Sequence, residues 1–340
     1  MKYLIIGQGL AGTLIGYRLH RAGHDVDYVD APGQTAASTV AAGIINPITG
    51  RRFVRSWRIG ELMQEARLLY GQLERDLGLR LWCDTPLVRT LFNRGEQNDW
   101  LARGGEEGYG EYLDDTPALG NIPELTHPAF AYGGVRQTAR VDLAALTAGY
   151  RDWLRTRARL REQPLDYAHL PPSYDRYVFC EGWRVRDNPY FSHLPRGGTK
   201  GEVLLVRPEG PLLDRMLKHR VFLVPLADRG SYWVGASSAN QFTDDTASPA
   251  TAKYLADRLR EVLRLPFTVE AHLAAVRPTV RDRRMIIGTH PTDSRLSIFN
   301  GLGTKGASLA PLGSRWLFDH LQTGASVPVE VSSQRFASGL

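Results

Sequence analysis

The feature that most limits what this chain can fold into is the string Gly7-Gln8-Gly9-Leu10-Ala11-Gly12 near its start. A short apolar run, Lys2 to Ile6, precedes it and reads as a buried parallel strand. After it, Leu14, Ile15, Leu19 and Ala22 recur at helical spacing over Thr13 to Ala22, and Gly23 supplies the stop. Asp25 to Asp30 is a second strand. Strand, glycine turn, helix and strand in this order form a dinucleotide-binding unit, and each glycine has its own task. The first permits the tight turn, the second lets backbone approach a pyrophosphate, and the third lets helix pack on strand. The helix N-terminus offers free N–H groups and the positive end of its dipole to the phosphates. Asp30 is placed to accept hydrogen bonds from the adenosine ribose, and its charge disfavours a ribose 2′-phosphate, hence NADP. By itself this fingerprint does not separate FAD from NAD.

Beyond it the chain alternates between helical and extended patterns. Glu61 to Leu77 is amphipathic, with Leu62, Ala66, Leu69, Leu73 and Leu77 on one face. Residues 87–132 are broken by glycine, proline and charge, which predicts an irregular strand-and-loop region. A helix is expected over Val141 to Arg157, capped by Asp142, and a short strand over Tyr177 to Cys180. Val203 to Arg207, Val221 to Pro225, Ser231 to Ala236 and Val269 to Val276 read as sheet strands, with a helix over Thr251 to Leu263. Leu296 to Asn300 is another strand, followed by a glycine loop and a helix over Ala307 to Leu321. Nucleotide-type elements thus lie at both ends, so the chain is expected to leave one domain and re-enter it.

At 340 residues, 43% hydrophobic and 23% charged, the chain can bury an ordinary globular core and has room for two domains. Its net charge of +6, with arginines scattered throughout, reads as a solvated surface plus a site for anionic ligands rather than as a nucleic-acid surface. The two cysteines, Cys83 and Cys180, form no CxxC pair and the nine histidines no metal spacing. That excludes a disulfide framework and a zinc site and suits a reducing compartment; no metal is expected. The N-terminal apolar run is too short for a signal peptide, and no stretch reaches the ~20 apolar residues of a membrane helix. A cytoplasmic location is expected.

The segment Ser38-Thr39-Val40-Ala41-Ala42-Gly43-Ile44 is small, polar and glycine-bearing, suited to a chain passing close to a flat ring. Near the other end stand Ala275-Val276-Arg277-Pro278-Thr279, Asp282 and Ile287-Gly288, then Phe299-Asn300-Gly301-Leu302-Gly303-Thr304-Lys305-Gly306 and Leu309-Ala310-Pro311. Between them lie Tyr177 to Gly182, with Cys180 and Glu181 atypical, and Val203 to Val206 after Lys200-Gly201-Glu202. Together these resemble the signatures of the D-amino acid oxidase and glycine oxidase family of flavoproteins. The resemblance implies an α/β (α+β) fold: a Rossmann-like FAD-binding domain built from discontinuous segments 1–80, 138–198 and 276–340, plus a mostly antiparallel sheet substrate domain from 81–137 and 199–275. It implies FAD contacts from Gly7, Gly9, Leu10, Ala11, Gly12, Asp30, Ser38, Thr39, Ala41, Ala42, Gly43, Ile44, Gly182, Gly301, Gly303, Thr304, Lys305 and Gly306. Sarcosine oxidases of the family attach FAD through a C-terminal cysteine; none follows Cys180 here, so FAD is expected to be non-covalent.

The second glycine string, Gly301 to Gly306, has too little chain after it to be another dinucleotide fold. The family resemblance makes it a loop that aims N–H groups and a helix N-terminus at the flavin's pyrimidine edge, with Lys305 adding positive charge. A helix-capping turn is the alternative. Arg277 falls where the family's guanidinium grips the substrate carboxylate, a task suited to its planar fork; the alternative is a structural pair with Asp282. Arg277 and Lys305 are therefore the candidate catalytic residues. Arg51 and Arg52 follow the flavin-lining stretch and reach an anionic substrate tail or else sit as surface charge in a turn. Trp57, Tyr232 and Trp233 are aromatic candidates for the substrate pocket or for the core.

The implied reaction takes hydride from the α-carbon of an amino acid or N-substituted glycine, giving an imine that hydrolyses to an oxo acid. Oxygen or another electron acceptor completes the cycle; Trp233 aligns where sarcosine oxidases carry an oxygen-activating lysine, which leaves the acceptor open. Gly301 to Ala307 with Ala310-Pro311-Leu312 is also similar to the FAD domain of the tRNA wobble-uridine modification enzymes, which remove a carboxymethyl group by the same C–N chemistry. The methyltransferase half of those enzymes is missing, so a small substrate is preferred over nucleic acid. A flavin-binding protein without turnover is the third reading.

Overall fold

In the computed structural model, which describes residues 1–33 and 35–336, the chain forms two principal sheets. The first is six-stranded, in the order Leu160–Arg161, Asp25–Val29, Lys2–Ile6, Arg176–Phe179, Leu296–Asn300 and Ile286–Thr289. Its first five strands run parallel, and Ile286–Thr289 closes the edge antiparallel to Leu296–Asn300. Strand alternation splits the apolar Lys2–Ile6 run between two cores. Tyr3 and Ile5 face the helices Leu10–Arg21, Ile59–Leu77 and Gly306–Thr323, while Leu4 and Ile6 face Phe179, Val185 and Phe191. The three helices are bolted by a buried carboxylate. Glu65 takes Arg18 on one oxygen and Arg315, at 2.6 Å, on the other.

The second sheet has eight strands, in the order Phe267–Arg277, Thr199–Pro208, Ser231–Gly235, Phe222–Leu226, Met216–Lys218, Leu87–Leu91, Ala131–Val135 and Leu113–Asp114. All neighbours are antiparallel except Met216–Lys218 and Leu87–Leu91. Both faces are covered. Val203, Val224, Trp233 and Ala275 look toward the first sheet, whereas Leu204, Val206, Leu223, Tyr232 and Val234 pack on Leu255 and Leu259 of the helix Pro249–Arg260.

Three local expectations are corrected. The first helix begins at Leu10, inside the glycine string, so its free N–H groups belong to the loop itself. Val141 ends a strand, Ala139–Val141, and the helix starts at Leu143 with the Asp142 carboxylate accepting from the Ala145 N–H at 2.9 Å. Within 87–132 lies a regular helix, Arg94–Gly104, capped by Asn93, which accepts from the Glu96 N–H at 3.0 Å. It buries only Trp100, so it carries no apolar stripe for periodicity to detect.

Candidate active site

A cavity of about 1120 Å³ runs between the two sheets, and the sequence motifs converge on it. At one end is the N-terminal glycine turn. Gly7 has φ +96°, and a Cβ there would lie 2.6 Å from the Cys180 carbonyl oxygen. A Cβ on Gly12 would lie 2.0 Å from the Gly7 carbonyl oxygen, so this glycine packs helix on strand and does not itself line the cavity. Gly9, by contrast, meets only Ser38 Oγ at 3.5 Å and stands open to a ligand with Leu10 and Ala11. No side chain caps this helix, so its first N–H groups face the cavity. Asp30 lines the same end; one oxygen accepts from the Gln8 N–H at 3.1 Å and the other pairs with Arg151 at 2.7 Å. Arg151, also bound to Gln8 and Glu162, is a lining residue that sequence reasoning missed, since nothing separates it from other arginines on that helix.

Ser38 to Ile44 lines the middle of the cavity throughout. Gly43 has φ +72°, and a Cβ there would strike the Val141 carbonyl oxygen at 1.8 Å, so only glycine lets the segment cross that strand so closely. Trp233 also lines the cavity, and its indole N–H donates to the Val40 carbonyl at 2.8 Å, joining the antiparallel sheet to this segment. Gly182 lines the cavity and accepts from the Asn300 amide at 2.7 Å. Beside Gly182, the buried Glu181 carboxyl is pushed up to about 7 by desolvation while Asn188, at 2.7 Å, and Tyr167 donate to it.

The C-terminal loop contributes Leu302, Gly303, Thr304, Gly306 and Ala307, again ahead of a helix with no side-chain cap. Gly301 is a turn residue with φ +73° outside the lining. Lys305 is a correction: its ammonium is turned away from the cavity and donates to Thr49 at 3.2 Å and Ser56 at 3.0 Å. Burial lowers its pKa, helped by Arg283 and Arg284. It fastens the loop to the hairpin Ile48–Thr49 and Val54–Arg55 rather than facing a ligand. Arg51 and Arg52 form the exposed tip of that hairpin, outside the lining.

Tyr232 is also corrected. One residue from Trp233, it points to the opposite face of the sheet, fully buried, where its hydroxyl accepts from the Leu213 N–H at 2.6 Å. Trp57 packs edge-on to Trp316 and under Arg284, away from the cavity.

Arg277 lies on the cavity wall at the end of its strand. Its guanidinium occupies the space above Gly201, where a Cβ would lie 2.0 Å from Nη2. Its one hydrogen bond among the described residues is a long one, Nη1 to the Ser237 carbonyl at 3.4 Å. Burial lowers its pKa. The alternative partner is engaged elsewhere: Asp282 pairs with Arg335 at 3.0 Å. Arg277 is thus a desolvated cation with no carboxylate of its own, on the floor of a cavity. Lys218, Trp183 and Arg184 also line the cavity and carried no motif.

Fold and site together define a class: an oxidoreductase with a dinucleotide-type glycine turn on a parallel sheet and a cavity that reaches the face of an antiparallel one. The chain belongs to the DAO family of FAD-dependent oxidoreductases, whose model matches residues 2–320. It is 27% identical over 336 residues to the protein of Rhizobium etli named thiamine biosynthesis oxidoreductase ThiO, covering 92% of this chain and 93% of that one. Among solved structures it is similar to glycine oxidase from Geobacillus kaustophilus (TM-score 0.79, 21% identity, covering 96% of this chain and 95% of that one). It is similar also to glycine oxidase from Bacillus cereus (TM-score 0.78, 19% identity, 99% and 97%) and to iminodiacetate oxidase from a Chelativorans species (TM-score 0.76, 18% identity, 97% and 99%).

The residues present fit FAD. Two uncapped helix N-termini open onto one cavity, an acid stands beside the first, and the glycines between them leave backbone bare where a Cβ would intrude. Cys83 is exposed and outside the cavity, and Cys180 sits at the dinucleotide end; FAD is held non-covalently. Among the described residues, no helix is long and apolar enough to cross a membrane.

Proposed function

We propose that the protein oxidises the Cα–N bond of a carboxylated amine, an amino acid or an N-substituted glycine. The observation that carries this reading is the unpaired Arg277 guanidinium in the cavity. A buried cation without a counter-ion is costly unless an anionic ligand completes it. The substrate carboxylate does so, and a bidentate pair fixes the α-carbon in one place. Gly7 to Ala11 and the first helix turn would hold the pyrophosphate, Asp30 the ribose, and Ser38 to Ile44 with Leu302, Gly303, Thr304, Gly306 and Ala307 the flavin end. When bound, FAD supplies a two-electron acceptor for the hydrogen and bonding pair leaving the α-carbon.

The protein's own part is positioning and electrostatics. Arg277 orients the substrate, and its fixed charge favours the neutral amine over a second cation nearby. Val203, Phe222 and Trp233 supply an apolar wall that excludes water. The imine product then takes up water and yields an oxo acid with ammonia or an amine. The names of the glycine and iminodiacetate oxidases with the same fold support this chemistry. Two free cysteines support a reducing, cytoplasmic setting.

Anaerobic mixing of the holoenzyme with glycine, sarcosine, proline and D-amino acids tests the proposal. Flavin bleaching by one of them is expected, and Arg277→Ala should raise KM for it by about tenfold to a hundredfold. An unchanged KM would remove Arg277 from substrate binding. A second reading rests on a separate shallow pocket that shares Trp183 with the cavity, where Arg186 and Arg196 stand with Trp183 and Phe242 as on a nucleic-acid surface. A wobble-uridine substrate predicts salt-sensitive tRNA binding and no bleaching by small amines.

A further inference from the structure

A second cation faces the same cavity. Lys218 ends the strand Met216–Lys218, lines the cavity, and uses one of its three donors on the Arg220 carbonyl at 3.0 Å. Directly beside it in register, on the neighbouring strand, stands Arg89, whose guanidinium lies 4.6 Å from the centre of the Phe53 ring. Among the described residues neither is in an ion pair; the one carboxylate whose charge reaches Arg89 is Glu96, which offsets part of the lowering of the Arg89 pKa by burial, and none acts on Lys218. Two like charges side by side on adjacent strands, both half-buried, are unfavourable unless something negative joins them. Burial and the Arg89 charge push the Lys218 ammonium down to about 8, the response of a cation short of a partner.

Register places Lys218 on the same face as Arg277. Val203 pairs with Gly235, Gly235 with Phe222, and Phe222 with Lys218, so these residues form one row across the sheet. Gly201, under the Arg277 guanidinium, lies two residues along the strand from that row and keeps its parity. The Lys218 ammonium leans back along the row, 4.7 Å from the centre of the Phe222 ring. With strands about 4.8 Å apart and a rise of about 3.4 Å per residue, the Lys218 and Gly201 backbones lie roughly 16 Å apart, and the reach of the lysine over the neighbouring strand brings the two cations to roughly 12 Å. One charge-assisted hydrogen bond at each end leaves a span of about 6 Å between anionic oxygens.

We infer that the substrate is a dicarboxylate: Arg277 takes the carboxylate beside the reacting carbon, and Lys218, backed by Arg89, takes a second one across the cavity. The class is that of acidic amino acids and N-carboxymethyl amino acids, whose carboxylates are separated by about this distance. The inference rests on the amine-oxidation reading and narrows its substrate.

The test uses holoenzyme and ligands that cannot be oxidised, read by perturbation of the flavin spectrum. Glutarate is expected to bind at least about tenfold more tightly than butyrate. Lys218→Met should abolish that preference while leaving the butyrate Kd within about twofold, and Lys218→Arg should restore most of it. Arg277→Ala should weaken both ligands. Equal affinity of wild type for glutarate and butyrate, or a preference that survives in Lys218→Met, overturns the second site while leaving the amine-oxidation reading in place. Tighter binding of 3-phosphonopropionate than of glutarate overturns the assignment to a carboxylate. If neither ligand perturbs the flavin, or if Arg277→Ala changes nothing, the parent reading fails and this inference with it.

Discussion

Gly201→Ala separates the binding role of Arg277 from its contribution to folding. A Cβ at position 201 would lie 2.0 Å from Nη2, 2.3 Å from Cζ and 2.4 Å from Nη1 of Arg277, so its three nearest atoms all belong to that side chain. What must give is the far end of a flexible side chain, not the sheet. Gly201 pairs with Ala275 in regular antiparallel register, where alanine is at least as well accommodated as glycine. Stability is therefore expected to change by less than about 1 kcal/mol, with flavin content unaffected. The guanidinium, however, is displaced by more than 1 Å, enough to break a bidentate pair. Hydrogen bonds to charged groups contribute about 1.5–3 kcal/mol, so KM for a carboxylated substrate should rise roughly tenfold to a hundredfold. The assay is steady-state kinetics alongside thermal unfolding and the flavin-to-protein ratio. An unchanged KM, with Tm and flavin retained, would refute the placement of the substrate carboxylate over Gly201. A collapse of Tm would show instead that position 201 is structural.

Other perturbations test other parts of the site. Gly12→Ala puts a methyl 2.0 Å from the Gly7 backbone oxygen, where no side chain can yield, and should yield protein that purifies largely without flavin; full flavin content would contradict the packing argument. Lys305→Met removes the bonds to Thr49 and Ser56 and should lower stability by about 1–2 kcal/mol while leaving KM unchanged; a changed KM with unchanged Tm would return Lys305 to the site. Because the Lys218 pKa is pushed down to about 8, its charge is present below that pH and lost above it, while Arg89 on the neighbouring strand stays charged. The preference for glutarate over butyrate should therefore fall as pH rises through about 8, and a preference flat to pH 10 would argue against Lys218 as its source. The same shift makes wild type gain stability relative to Lys218→Met as pH rises from about 8 toward the ordinary lysine pKa. In that window the unfolded chain holds a proton that the folded one has released. Paired urea titrations at pH 7 and pH 10 read the sign.

What the sequence determined by itself is the part of the site that depends on near neighbours along the chain. The turn at Gly7 to Gly12, the presence of a helix after it (though not its start at Leu10) and the acid at Asp30 follow from backbone freedom and short-range periodicity, and the same holds for the small-residue run at Ser38 to Ile44. Tertiary structure decided everything that depends on which way a side chain turns. Tyr232 and Trp233 are equivalent as composition, but the register of one strand sends the first into the core under a helix and the second into the cavity. Lys305 sits in the right loop, yet Thr49 and Ser56, distant in sequence, draw its ammonium to the far side. Arg277 has no carboxylate partner among the described residues, while Asp282 pairs with Arg335, a pairing no local pattern announces. Lys218 and Arg89 belong to no motif; they become neighbours, with Lys218 on the cavity's wall, only because two short strands, far apart in the chain, lie parallel in the finished sheet.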